Sequence, residues 1–201
     1  MKQTLKHSLL VTHRWLGWIF GFTNLVICIT GGIYVFRTEL TKSLVEMGYE
    51  TTKLDTIFHF IIEGHQYLWL PPNIGKWIVG ISVIAFLITA ITGIIICIPY
   101  YVNNKLLFQC HKNKTFKLLI DYHILFGTYF VIPITLLCVT GLIYIFEFVN
   151  DRNIMCIIGV IHRGQFCGII GQILTLSASI VGASLSITGY YITLKKHSKN
   201  K

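Results

Sequence analysis

Four stretches without a single Asp, Glu, Lys or Arg divide this chain: Trp15 to Phe36, Trp77 to Tyr101, Tyr122 to Phe146 and Gly164 to Leu194. Each is long enough for a hydrocarbon core that takes about 20 apolar residues to cross, and in lipid a helix satisfies its own backbone groups. The sequence therefore predicts an all-α, four-helix transmembrane bundle. It is read as a single integral membrane domain over 1–201 with spans at about 9–36, 77–101, 122–146 and 168–194. Composition agrees, because 54% of residues are hydrophobic and only 12% charged, against roughly 25% charge in soluble domains. The first span is read as a retained anchor: its apolar run exceeds the h-region of a signal peptide, and Arg37 and Glu39 follow where a small-residue cleavage site would stand.

An even number of spans puts both termini on one side, and the distribution of basic residues chooses which. Eleven basic residues fall on the terminal side (Lys2, Lys6, Arg14, Lys105, Lys112, Lys114, Lys117, Lys195, Lys196, Lys199, Lys201), and six on the other with seven of the eight acids. Both termini are thus expected in the cytoplasm, with the chain multi-pass in a bacterial inner membrane. The net charge of +9 reads as this topology signal and as contact with the lipid bilayer, and no nucleic-acid partner is expected. Between the first two spans, about 55–70 is expected to lie at the interface, with Tyr67 and Trp69 at headgroup level. Pro71-Pro72 should stop any helix, Pro133 should kink the third span, and Glu147 to Arg163 reads as a short external loop.

The chain repeats itself. His13, Gly17 and Thr30-Gly31 recur at identical spacing as His123, Gly127 and Thr140-Gly141. The stretch from Gly75 to Thr92-Gly93 likewise recurs from Gly171 to Thr188-Gly189. This is an internal two-helix duplication. Under the topology above, His13, His123, Thr92-Gly93 and Thr188-Gly189 share the inner level, while His65, His162, Thr30-Gly31 and Thr140-Gly141 share the outer one.

Ionisable groups at membrane depth mark function, and here they are histidines. The spans hold no carboxylate relay and no embedded Lys or Arg, which disfavours a transporter. Two histidines from facing helices are what a b-type haem needs in a helical bundle, and without a C-x-x-C-H the attachment is non-covalent. Two haems b are expected, with iron ligands His13 and His123 at one level, His65 and His162 at the other. Arg14 and Arg163 would serve the propionates, and the Thr-Gly glycines would let a porphyrin approach closely. Gly17 and Gly127, one turn past their histidines, would do so too, although small residues at such spacing equally mark close helix packing. Zinc usually takes four N or S ligands, which neither level offers. His7, His111 and His197 read as solvated, whereas His59 competes with His65 for the outer haem. Of six cysteines, Cys28, Cys97 and Cys138 read as small hydrophobes, Cys110 as a free thiol, and a disulfide is open to Cys156 and Cys167.

These motifs together resemble the PepSY-associated transmembrane (PepSY_TM) family, which includes bacterial ferric-siderophore reductases. The resemblance rests on His13-Arg14-Trp15-Leu16-Gly17 with Thr30-Gly31, His65 with Gly75-Lys76-Trp77-Ile78-Val79-Gly80 and Thr92-Gly93, Tyr122-His123 with Gly127 and Thr140-Gly141, and His162-Arg163-Gly164 with Gly171 and Thr188-Gly189. It implies an integral membrane haem oxidoreductase that takes electrons from a quinone or cytoplasmic reductase and passes them to a periplasmic acceptor such as a ferric chelate, without a catalytic acid, base or nucleophile. The external loops are too short for the PepSY domains that many such proteins carry. The rival expectation is a non-catalytic membrane subunit that binds partner helices through its glycine faces and needs no cofactor.

Overall fold

The computed structural model describes residues 3–104 and 115–198. Cys110, His111 and the basic residues Lys2, Lys105, Lys112, Lys114, Lys199 and Lys201 lie outside the described residues. The chain runs α1 (Gln3–Val35), α2 (Arg37–Glu46), α3 (Thr51–Tyr67), α4 (Pro72–Asn104), α5 (Thr115–Tyr129), α6 (Val131–Phe146), α7 (Arg152–His162), a 3-10 turn (Gln165–Cys167) and α8 (Gly168–Ser198). No strand occurs among the described residues.

Three helices, α1, α4 and α8, are long and apolar enough to cross a membrane, and α5 with α6, bent by 61° at their junction, passes the same test only as a pair. The helices outrun the expected spans. α1 begins at Gln3 instead of near residue 9, and α4 covers Pro72–Asn104 instead of 77–101. The ends of a charge-free run mark the limits of hydrocarbon, whereas i→i−4 hydrogen bonds continue into the polar zone beyond it. The third span breaks at Phe130, three residues before Pro133. Pro133 has no N–H to give the carbonyl of Tyr129. As third residue of α6 it loses nothing there, since first-turn N–H groups have no intrahelical partner.

The expected loops are also helical. The interfacial segment 55–70 lies mostly within α3, which packs along α1, and α2 is tied to it by the Arg37–Asp55 pair at 3.1 Å. The chain then reverses through Leu68 and Trp69, both in the left-handed region (φ 55° and 57°). Trp69 fixes this reversal: its Nε1 donates to the Phe60 carbonyl at 2.8 Å, its ring stacks on Phe60, and it covers Gly64, where a Cβ would collide with it. In place of the second loop stands α7, started by Asp151, whose carboxylate accepts from the N–H groups of Asn153 and Ile154.

α1 packs on α4 and α8, α6 on α4, and α5 on α8, so α1 faces the α5–α6 span diagonally. Ile134, Cys138, Ala178 and Val181 form the core, with Phe86, Leu87, Phe130 and Leu185 against it. Thr23 Oγ1 donates to the fully buried Ser82 Oγ at 3.0 Å, joining α1 to α4 by one of the few polar links in the apolar bundle. The two half-chains therefore correspond element by element, α1 to α5–α6, α3 to α7 and α4 to α8.

Candidate functional site

At the end of the bundle that carries both termini, His13 on α1 faces His123 on α5, their ring centroids 6.3 Å apart and their planes at 90°. At the opposite, distal end, His65 near the end of α3 faces His162, the last residue of α7, at 6.2 Å and 46°. Both pairs join the two half-chains across the diagonal. His13 and Ile27, fourteen residues apart on α1 and each beside one level, are separated by about 21 Å of helix axis.

Each imidazole is fastened within its own half-chain. His13 Nδ1 lies 3.0 Å from the Thr89 carbonyl and 3.2 Å from Thr92 Oγ1, and His123 Nδ1 lies 2.7 Å from Thr188 Oγ1. His65 Nδ1 reaches the Ile27 carbonyl at 2.9 Å, and His162 Nδ1 reaches Thr140 Oγ1 at 2.9 Å with the Leu137 carbonyl beside it. The four seats share one construction: the hydroxyl of a Thr-Gly threonine and the carbonyl three residues before it, which lie side by side on a helix. His13 and His162 use both acceptors, His65 only the carbonyl and His123 only the hydroxyl.

These partners fix the tautomer. A carbonyl can only accept, so Nδ1 of His13 and His65 carries the proton. The hydroxyl protons of Thr140 and Thr188 are already given to the carbonyls of Leu136 and Ser184 at 2.7 and 2.8 Å, so these oxygens accept from His162 and His123. All four rings are therefore Nδ1–H. Among the described residues no hydrogen bond ends on any Nε2, which leaves four lone pairs free. An imidazole oriented through one nitrogen and free at the other is the arrangement of a metal ligand. At the distal level burial lowers the pKa of His65. His162 is held down to about 3 by burial first and then by the charges of His65 and Arg163, so both rings are neutral near pH 7.

The glycines of the Thr-Gly pairs have a different contact from the one expected of them. A Cβ on Gly31 would stand 2.6 Å from Cε1 of His65, on Gly141 3.1 Å from His162, on Gly93 3.2 Å from His13 and on Gly189 3.6 Å from His123. They let each histidine lie flat on the neighbouring helix. Gly17 opens onto free space and Gly127 makes ordinary contact with Leu185, while Gly21 takes the ring of Tyr190 in close helix packing. Thr30 Oγ1 serves only the carbonyls of Val26 and Ile27.

Around the distal pair lies a cavity of about 440 Å³ bounded by His65, His162, Gly31, Gly141, Arg163 and Asn24, within the range of small-molecule and cofactor sites. Arg163 is steadied by Gln165 Oε1 at 3.1 Å, whereas Arg14 is exposed. His59 is also exposed, 3.6 Å from Glu63, so His65 is the histidine that meets His162. Cys156 and Cys167 are exposed free thiols; Cys28 and Cys138 line the cavity. No group of three or more His, Cys, Asp or Glu able to hold a metal occurs among the described residues. The backbone acceptors at Ile27 and Thr89, and Asn24 as a cavity wall, had not been picked out from sequence. The signal for the two carbonyls was their place three residues before a Thr-Gly.

A family model described as the PepSY-associated TM region matches residues 42–157, more than half the chain. The chain belongs to the PepSY-associated TM family. The matched segment includes His65 and His123, one histidine from each facing pair, and the seats at Thr92 and Thr140. No curated protein and no solved structure matches.

Proposed function

We propose that this membrane protein holds two haems b and carries electrons from one face of the membrane to the other. The single observation supporting the reading is that four imidazoles form two facing pairs, each ring tied at Nδ1 and free at Nε2. Two imidazoles that share one metal, each bonded at about 2.0 Å, need a gap of a few ångströms between their rings. The observed centroid separations are 6.3 and 6.2 Å. A donor set of two neutral histidines fits haem, whose four remaining ligands come from the porphyrin.

His13 and His123 would hold one haem, His65 and His162 the other. When bound, the group supplies one-electron redox chemistry. The chain's own part is to position and insulate. Thr92, Thr140, Thr188 and the Ile27 carbonyl hold the imidazoles, and Arg163 at the distal cavity offers a cation to the propionates. Between the levels, Phe86, Leu87, Phe130, Val181 and Leu185 pack with the core and exclude water and ions, so charge crosses as electrons. We take the terminal level to face the cytoplasm of a bacterial inner membrane, with a quinone or a cytoplasmic reductase as donor. The distal level then faces an external acceptor, a ferric chelate being the natural one for an iron reductase.

Reduced-minus-oxidised spectra of the purified chain test the proposal. The expected result is the band pattern of six-coordinate b-type haem, and chemically reduced protein should be reoxidised by an added ferric chelate. Protein made with adequate haem that shows no haem band would overturn it.

A further inference from the structure

The distal cavity is asymmetric although the half-chains that build it correspond. The duplication pairs Cys28 with Cys138 and Asn24 with Ile134, and all four side chains line the cavity. Asn24 is the one asparagine in the four charge-free stretches. It is 4% exposed, and among the described residues no hydrogen bond reaches its amide. Thr175 on α8, 7% exposed, also lines the cavity and likewise has no hydrogen bond among the described residues. Val79, Val83, Phe86 and Leu137, which line it too, are apolar. A buried amide with two N–H donors and a carbonyl calls for a partner, and here it can find one only inside the cavity.

We propose that Asn24 holds a hydrogen-bonding oxygen at the deep edge of the group seated between His65 and His162, and so positions and tunes the distal centre alone. The proposal rests on the haem reading above. A haem b has no oxygen outside its propionates, so that oxygen is one ordered water held between the edge of the group and α1. Among the apolar side chains that line most of the cavity the amide dipole is weakly screened, so it weighs differently on the two charge states of the centre. The amide also breaks the two-fold equivalence of the site, giving the occupant one preferred orientation.

Spectroelectrochemical titration of the full chain tests this on wild type, Asn24→Leu, Asn24→Ala and the exchange variant Asn24→Ile with Ile134→Asn. His162→Ala, which leaves the terminal pair intact, assigns the two potentials. Both Asn24 variants should keep two haems, with the distal couple moved by about tenfold in its equilibrium constant, about 59 mV for one electron, and the terminal couple unmoved. The exchange variant should return the distal potential toward wild type, since the amide then stands on the corresponding wall. Mass spectrometry of the acid-extracted pigment should return protohaem, whereas a porphyrin bearing a rim hydroxyl or carbonyl would overturn the ordered-water assignment. Two bound haems with an unmoved distal potential in both variants, or both potentials moving together, would overturn this proposal and leave the haem reading standing. Wild type without haem would overturn both.

Discussion

The four threonines of the Thr-Gly pairs look interchangeable in sequence, yet the structure ranks them. Among the described residues Thr188 Oγ1, at 2.7 Å, is the one acceptor for His123 Nδ1. At His13 the Thr89 carbonyl, at 3.0 Å, would remain if Thr92 were lost, and at His162 the Leu137 carbonyl would remain if Thr140 were lost. Thr30 Oγ1 makes no hydrogen bond to His65 among the described residues, its proton going to the carbonyls of Val26 and Ile27. Losing the partner that orients a metal-bound histidine weakens metal affinity about 10- to 100-fold, or about 1.4 to 2.8 kcal/mol at about 1.4 kcal/mol per tenfold. Thr188→Val should therefore cost that full amount in haem affinity at the terminal level. Thr92→Val and Thr140→Val should each cost less than about tenfold, because a carbonyl still takes the Nδ1 proton. Thr30→Val should be neutral. The rate of haem loss to an excess of apoprotein scavenger, followed at the Soret band, reads all four. Equal weakening by Thr30→Val and Thr188→Val would refute the assignment of these hydroxyls as histidine acceptors.

Three further substitutions probe the same framework. Gly31→Ala puts a methyl 2.6 Å from a ring that the Ile27 carbonyl holds in place, while Gly189→Ala meets His123 at an ordinary 3.6 Å. The first should displace His65 and bring the haem-to-protein ratio toward one; the second should leave it at two. Asp151→Ala removes both cap bonds of α7 and should cost about 1 kcal/mol, seen as faster amide exchange in the first turn of α7 with α4 unchanged.

What could be read from the sequence was whatever lipid imposes. Charge-free runs marked the three long apolar helices and the bent α5–α6 pair, and identical spacing from His13 to Thr30-Gly31 and from His123 to Thr140-Gly141 marked the duplication. The division of histidines and Thr-Gly pairs into two levels followed from the alternating direction of the spans. What escaped depends on helix rotation and on packing. The ten residues of α2 and eleven of α7 are too short to show a membrane signature, and their apolar sides have meaning only against α3 and α6. Spacing set Gly31 and Gly141 at the right depth without showing which neighbour they face, and that neighbour is an imidazole. The carbonyls of Ile27 and Thr89 were invisible because every residue has one. The exposed position of His59 beside Glu63 could not be separated from the buried one of His65 until α3 was seen to fold back on α1.

The haem-to-protein ratio of the purified chain and its single histidine variants tests the central claim most directly. Wild type and His59→Ala should both give two. Each of His13→Ala, His123→Ala, His65→Ala and His162→Ala should give about one, with the lost centre the same within a facing pair and different between pairs. A ratio of zero in wild type, or of two in all four variants, would contradict the account.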